Sequence, residues 1–327
     1  MMNDQADDGQ ILIEKPHDDA QILPFFLRSE SDHVATIRGR FASVGFAASS
    51  ILERHDYPLP IASLQAEALA LACCLSSTLK FDGVFTLQAK GDGLVKTLFA
   101  DVTSDGDMRG YTAFDAGAPM PVADDVADSL PADVPALMGD GYIAFTVDGG
   151  ATAGRYQGIV ELDGATLGHA AISWFANSEQ LDTSVACVAG LVDGVWQASA
   201  MMLQRLAVEG GDDASKTDRA HSDDAWHTAR TLMESVKRSE MLDPALSPAD
   251  LIYRLFNSME PHVSPARAVR DKCRCSLDKV QSMLSQLDKE EVQDLADENG
   301  YLGVVCEFCK TDRQFHKDAL APVQGTS

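Results

Sequence analysis

The chain has 327 residues and a mass of 35.1 kDa, a length suited to about two domains. A hydrophobic fraction of 45% supports a sizeable core and excludes global disorder. No uncharged apolar run of about 18 residues is present, which argues against a membrane span. The formal net charge of −24, from 50 acidic and 26 basic residues, repels phosphate backbones and anionic lipid surfaces. Neither nucleic acid nor membrane is therefore an expected partner.

Residues 1–32 read as a loosely ordered acidic tail, with Asp4, Asp7, Asp8, Glu14, Asp18 and Asp19. A secretory signal has a basic start and an apolar stretch instead. The chain is accordingly expected in the cytoplasm, where thiols stay reduced. From His33 the run His33-Val-Ala-Thr-Ile-Arg-Gly-Arg-Phe alternates apolar and polar residues, as a half-buried strand does. Residues 62–79, rich in Ala and Leu, predict a helix. Strands are predicted over 84–89 and 94–100 around Gly91-Asp92-Gly93, and again over 109–114, 142–147 and 156–162. A helix is predicted over 165–176. Segments 183–192 and 195–206, divided by Asp193-Gly194, give the clearest hairpin signal. Residues 33–208 thus predict an α+β body built on mainly antiparallel strands.

A polar, Gly-bearing break follows at Glu209-Gly-Gly-Asp-Asp-Ala-Ser-Lys-Thr-Asp. Residues 209–265 read as a helical linker. Its first helix spans 225–238, with Trp226, Ala229, Met233 and Val236 near helical spacing. Asp223 and Asp224 stand at its start and Lys237 and Arg238 at its end, complementing the helix dipole. Ser247-Pro248 suits an N-cap and first helical position. Leu251, Ile252, Leu255 and Phe256 give that second helix an apolar stripe. The final module, 266–327, carries nine basic and eleven acidic residues, so the acidity belongs to the body.

Four of the seven cysteines fall in this module, as Cys273-Arg-Cys275 and Cys306-Glu-Phe-Cys309. Permanent disulfides conflict with a reducing compartment, so the clustering points to metal or redox chemistry. Four thiolates close a tetrahedral zinc site, and one zinc per chain is expected on Cys273, Cys275, Cys306 and Cys309. Between the pairs, Ser276 caps a helix bearing Leu277, Val280, Leu284 and Leu287. Asp288 and Glu291 form a capping-box pattern for a second helix, which Asn299-Gly300 ends. Two such helices return the chain and bring the pairs together. Zinc holds the sulfurs in their nucleophilic form. An oxidant converts a thiolate to a sulfenic acid, which a neighbouring thiolate resolves to a disulfide. Each disulfide removes two zinc ligands, and zinc supplies on the order of 10–16 kcal/mol to small zinc-finger peptides. The spacing therefore permits a switch in which oxidation destroys structure.

Cys-x-Cys, about thirty residues and Cys-x-x-Cys at the end of an acidic chain resemble the redox-regulated heat-shock protein 33 family of holdase chaperones. The body adds His55-Asp56-Tyr57-Pro58, Thr78-Leu-Lys-Phe-Asp-Gly83, Met108-Arg109-Gly110, Gly141-Tyr142, Arg155-Tyr-Gln-Gly158, Ser178-Glu-Gln-Leu181 and Met201-Met-Leu-Gln204. The resemblance spans about residues 33 to 310. Two departures stand out. The N-terminal extension is longer than usual, and Lys310-Thr311 follows the last cysteine where glycine or asparagine is common. The resemblance implies an inactive, reduced, zinc-loaded state. Oxidation then pairs Cys273 with Cys275 and Cys306 with Cys309, releases zinc and unfolds the linker. The exposed surface holds unfolding client proteins without ATP, and active members form homodimers.

Cys73, Cys74 and Cys187 read as buried packing residues. Met201 and Met202 read as core, with a pliable client surface as the alternative. His316 is not needed to complete the site. No P-loop, Gly-x-Ser-x-Gly or His-Glu-x-x-His occurs, so no enzyme is expected. A zinc-ribbon nucleic-acid module would want a basic face, which the module's charge does not supply. A thiol oxidoreductase would want a βαβ context before Cys306-x-x-Cys309, which is absent.

Overall fold

The computed structural model describes residues 20–28, 35–79, 81–120, 133–150, 154–207 and 216–320. The acidic run before residue 20, Asp124-Asp125 and most of the break beginning at Glu209 lie outside the described residues. The described chain is α+β, and its ladders are antiparallel except for one short parallel pair.

Two sheets sandwich one helix. The first sheet contains β1 (Gln21–Arg28), β2 (Ala35–Ser43), β8 (Thr183–Val192) and β9 (Val195–Arg205), in the order β1-β2-β9-β8. The second contains β3 (Val84–Gly91), β4 (Val95–Thr103), β5 (Asp107–Phe114), β6 (Gly141–Asp148) and β7 (Arg155–Glu161), in the order β5-β4-β3-β6-β7. Asp193 and Gly194 both take positive φ, 51° and 79°, as a two-residue hairpin turn requires. Helix α1 (Gly45–Glu53) lies on β9, and α2 (Leu59–Ser76) lies between the sheets. Short helices α3 (Val134–Met138) and α4 (Leu167–Trp174) close the body.

Helix α2 is buried on nearly all sides, which explains its Ala-rich, apolar sequence. By length and composition it could cross a membrane, but 83% of it is buried inside the protein. Its one buried amide, Gln65, donates to the Phe99 carbonyl at 3.1 Å and accepts from the Thr112 hydroxyl at 2.7 Å. Cys73, Cys74 and Cys187 are buried in this core, and burial pushes the Cys74 thiol up to about 12. These are inert thiols.

The first sheet is apolar on both faces. Ile22, Ala42, Cys187, Ala200 and Met202 face α2. Leu23, Phe25, Leu27, Ile37, Phe41, Val188, Met201 and Leu203 face the opposite way, where the linker helices cover them. Those helices are α5 (Lys216–Glu234), α6 (Arg238–Leu242) and α7 (Pro248–Phe256). Met201 and Met202 are thus both core residues, on opposite faces of one strand.

Three expectations need correction. Residues 21–28, read as the end of the acidic tail, form β1. Because both faces of this strand are covered, it is a nearly continuous apolar run without the polar alternation that marks a half-exposed strand. The first linker helix begins before 225 and stops at Glu234. Asp223 lies inside it, drawn to Arg205 of β9 at 2.6 Å. Arg238 starts a separate helix, with Glu240 accepting from the Lys237 N–H at 3.0 Å.

After α7, the chain forms a strap along the edges of both sheets. Strands β10 (His262–Val263) and β11 (Arg267–Ala268) pair with β1. Strand β12 (Arg270–Asp271) pairs in parallel with β5. The beginning of the C-terminal module is therefore woven into the body. The rest comprises α8 (Leu277–Leu284), α9 (Lys289–Leu295) and a hairpin, β13 (Tyr301–Val305) with β14 (Asp312–His316).

Candidate metal centre

The strap delivers the first motif. The Arg270 N–H donates to the Gly106 carbonyl at 2.9 Å, and the Lys272 N–H to the Met108 carbonyl at 3.0 Å. Cys273 thus emerges beside Arg109 on β5, whose Nη1 lies 3.9 Å from the Cys273 sulfur. Ser276 then caps α8 by accepting from the Lys279 N–H. Asp288 and Glu291 form the expected capping box on α9.

The second motif sits at the tip of the β13–β14 hairpin, which the sequence reading did not identify. The Cys306 N–H donates to the Thr311 carbonyl at 3.0 Å, and the Lys310 N–H to the Cys306 carbonyl at 2.8 Å. This tight turn puts Lys310 at φ 54°, a conformation that favours glycine or asparagine. The departure noted in the sequence therefore falls on a strained position.

All four sulfurs lie within 4.8 Å of one another. Contacts run across the two motifs, at 3.8 Å for Cys273–Cys306 and 3.4 Å for Cys275–Cys309. Four sulfurs at about 2.3 Å from a tetrahedral zinc would be separated by about 3.8 Å. The donor set and its spacing thus fit a metal ion. Four thiolates around a divalent cation leave two negative charges, which nearby guanidinium groups compensate. Arg109 and Arg274 approach the site while sharing the buried Asp101 carboxylate.

The sulfurs differ as acids. Burial pushes the Cys275 thiol up to about 12, and its hydrogen bonds with Cys309 and Cys273 add to the rise. Burial also raises Cys306. For Cys309 burial acts in the same direction, but hydrogen bonds from the Thr311 hydroxyl and N–H, together with those of Cys275 and Cys306, outweigh it and hold the thiol at about 6.

The module has little apolar support of its own. Beyond the strap, its own apolar cluster among the described residues is Leu284, Leu302 and Phe315, with Val280, Leu287, Val292 and a few others packed around them. Such a core needs help from a metal or a partner surface. The body provides a surface. Phe308 stands edge-on to Tyr111, with ring centroids 4.8 Å apart, and to Phe99 at 6.3 Å. The Arg109 guanidinium carbon lies 3.7 Å from the Phe308 ring centroid. His55 Nε2 donates to the Phe308 carbonyl at 3.1 Å while its ring stacks on Tyr57. Asp271 takes Arg54 in two bonds, at 2.5 and 2.8 Å, and Asp107 takes Arg270 and Lys272 at 2.6 and 2.9 Å.

Sequence reasoning identified the four cysteines. It did not identify the roles of Arg109, His55, Asp101 and Asp271. The available signal was the motifs themselves: His55-Asp56-Tyr57-Pro58 and Met108-Arg109-Gly110 lie far apart in the chain, yet both meet the Cys306–Cys309 turn. His316, by contrast, packs on Tyr301 and pairs with Asp318, within the hairpin.

The fold and site define a two-sheet α+β protein carrying a docked four-thiol module able to hold a metal. A profile described as "Hsp33 protein" matches residues 31–316. A 33 kDa chaperonin of Caulobacter vibrioides is 35% identical over 277 residues, covering 84% of this chain and 88% of the relative. A 33 kDa chaperonin of Escherichia coli is 32% identical over 291 residues, covering 89% and 92%. The crystal structure of the Thermotoga maritima 33 kDa chaperonin, a heat shock protein 33 homolog, has the same fold. Its TM-score is 0.74 at 21% identity, covering 91% of this chain and 96% of that one. This chain belongs to the Hsp33 family, a family of chaperones.

Proposed function

We propose that this chaperone is a redox-regulated, ATP-independent holdase. It rests while Cys273, Cys275, Cys306 and Cys309 share one zinc ion in the reducing cytoplasm, and it acts once they are oxidised. The observation that carries this reading is the strap, because residues 262–272 connect the thiol cluster directly to the helices covering the first sheet. Zinc, when bound, ties the two motifs together and keeps the sulfurs as thiolates.

With peroxide as oxidant, one thiolate attacks a peroxide oxygen, becomes a sulfenic acid and releases hydroxide. The neighbouring thiolate then attacks that sulfur, the S–S bond forms and a second hydroxide leaves. Each disulfide takes two electrons to one peroxide. Following the family resemblance, Cys273 joins Cys275 and Cys306 joins Cys309. The sulfurs are then no longer available as ligands, and the module's small core does not hold it folded. The strap loses its anchor and the linker helices leave the sheet. Leu23, Phe25, Leu27, Phe41, Met201 and Leu203 become an apolar face for unfolding clients. The net charge of −24 keeps the complex in solution. Two copies associate in the active state, as the resemblance implies.

The test is light scattering from a heat-unfolding client, alongside zinc released to a colorimetric chelator. Oxidised protein should suppress scattering while reduced protein does not. Equal suppression in both states would defeat the switch, and no suppression in either would defeat the holdase.

A further inference from the structure

Strand β1 forms the edge of the sheet that the linker covers, and its outer rim is occupied by the chain's own residues 262–269. Phe25 and Phe26 pair with Val263 and His262, and Gln21 and Ile22 pair with Ala268 and Arg267. The Ser264 N–H donates to the Pro24 carbonyl at 2.8 Å, and the Val269 N–H to the Ala20 carbonyl at 2.9 Å. Pro24 has no N–H, so the ladder divides opposite it into two short pieces. Because Ala20 and Pro24 present their carbonyls outward, the even-numbered groups of β1 form this rim.

The rim reads main chain. His262, Val263, Pro265, Ala266 and Ala268 are exposed, so main-chain bonds hold the stretch opposite Pro24 to Phe26; side chains anchor only the far end, where Val269 is buried and Arg267 donates to the Thr103 carbonyl at 2.7 Å. A seam of backbone bonds tolerates almost any sequence in an extended conformation. Native proteins shield such edges, whereas unfolded chains have unpaired donors and acceptors to offer. Leu23, Phe25 and Leu27 lie on the face that the linker helices cover, so their departure leaves an apolar floor beside the rim.

We propose that the β1 edge is a client-binding edge. Residues 262–269 occupy it at rest as an internal stand-in, and after the strap peels away an extended segment of an unfolded protein adds there as an antiparallel strand. This rests on the holdase reading above, whose client site it specifies. The stand-in directly precedes Cys273, so the event that destroys the metal centre also frees the edge.

The experiment uses the full oxidised chain and a heat-unfolding client. Suppression of scattering by the unaltered chain is established first; its absence would remove the holdase reading and this inference with it. A synthetic peptide of residues 261–270 is then added as competitor, beside the same peptide N-methylated at Ser264 and Val269. The plain peptide should displace client and the methylated one should not. Competition by both alike, or by neither while client is held, would overturn the proposal and leave the holdase intact. Phe26→Pro removes one outward N–H and should weaken client holding about three- to tenfold, the range for a lost backbone hydrogen bond. Since that variant also stresses the strand, amide exchange of the unaltered chain provides the independent measure. Ile22 and Phe26 amides should exchange fast after oxidation and regain protection when client binds. Equal exchange with and without client would reject the edge.

Discussion

Arg109 and Phe308 are in face-to-cation contact, with the guanidinium carbon 3.7 Å from the ring centroid. The same guanidinium reaches Cys273, so one body residue touches both halves of the thiol cluster. The thiol cluster is therefore docked on the body as well as drawn together, and two separate interactions hold that arrangement.

Phe308→Ala should remove the dock while sparing the four ligands. Losing the cation–π contact and part of the ring's burial costs about 1–2 kcal/mol. Zinc content at rest should be unchanged, and activation by peroxide should be faster, about tenfold for each 1.4 kcal/mol lost from docking. Time courses of scattering suppression after a peroxide pulse provide the measurement. An unaltered lag would show that docking does not restrain the switch.

Lys310→Gly should tighten the module. At φ 54° a lysine pays a backbone penalty that glycine avoids, worth about 1 kcal/mol. The substitution also loses the Lys310–Glu307 ion pair, but such surface pairs contribute only about 0–1 kcal/mol. Competition with a chelator of known affinity should therefore show slower zinc loss in the variant. Faster loss would mean that the ion pair outweighs the strain.

His55 should make docking pH-sensitive. Burial lowers its pKa from the usual 6.5, opposed by its bond to the Phe308 carbonyl, with Lys310 and Arg54 lowering and Glu307 raising it. The docked state therefore favours the neutral ring. Docking stability is fully present above about 6.5 and is lost as pH falls through the lower, docked-state value. His55→Gln keeps a donor for the carbonyl without titrating. The ratio of peroxide-activation rates for the parent and this variant should rise between pH 7.5 and 5.5. A flat ratio would remove His55 from the pH response.

Disulfide mapping should find Cys273–Cys275 and Cys306–Cys309 after complete oxidation. The resting contacts run the other way, between Cys273 and Cys306 and between Cys275 and Cys309. Once the cluster opens, however, the smaller loops close at least entropic cost. Peptide mass spectrometry without reduction decides the matter: a dominant Cys275–Cys309 link would show that oxidation traps the docked geometry before it opens.

The sequence by itself determined what depends on neighbours along the chain. The four thiols, the caps at Ser276 and Asp288 and the Asp193-Gly194 hairpin are local patterns, because caps, turns and chelating pairs are built within a few residues. Tertiary structure decided the rest. Strand β1 escaped notice because its partners lie in β2 and in residues 262–268, and burial on both faces erased the alternation that marks a strand. The strap's two-residue strands are too short to show any period. Asp223 looked like a helix start until Arg205 drew it into mid-helix. Only the fold brings Arg109, His55 and Tyr111 around Phe308. Such contacts arise when distant segments share one surface, so no spacing in the chain encodes them.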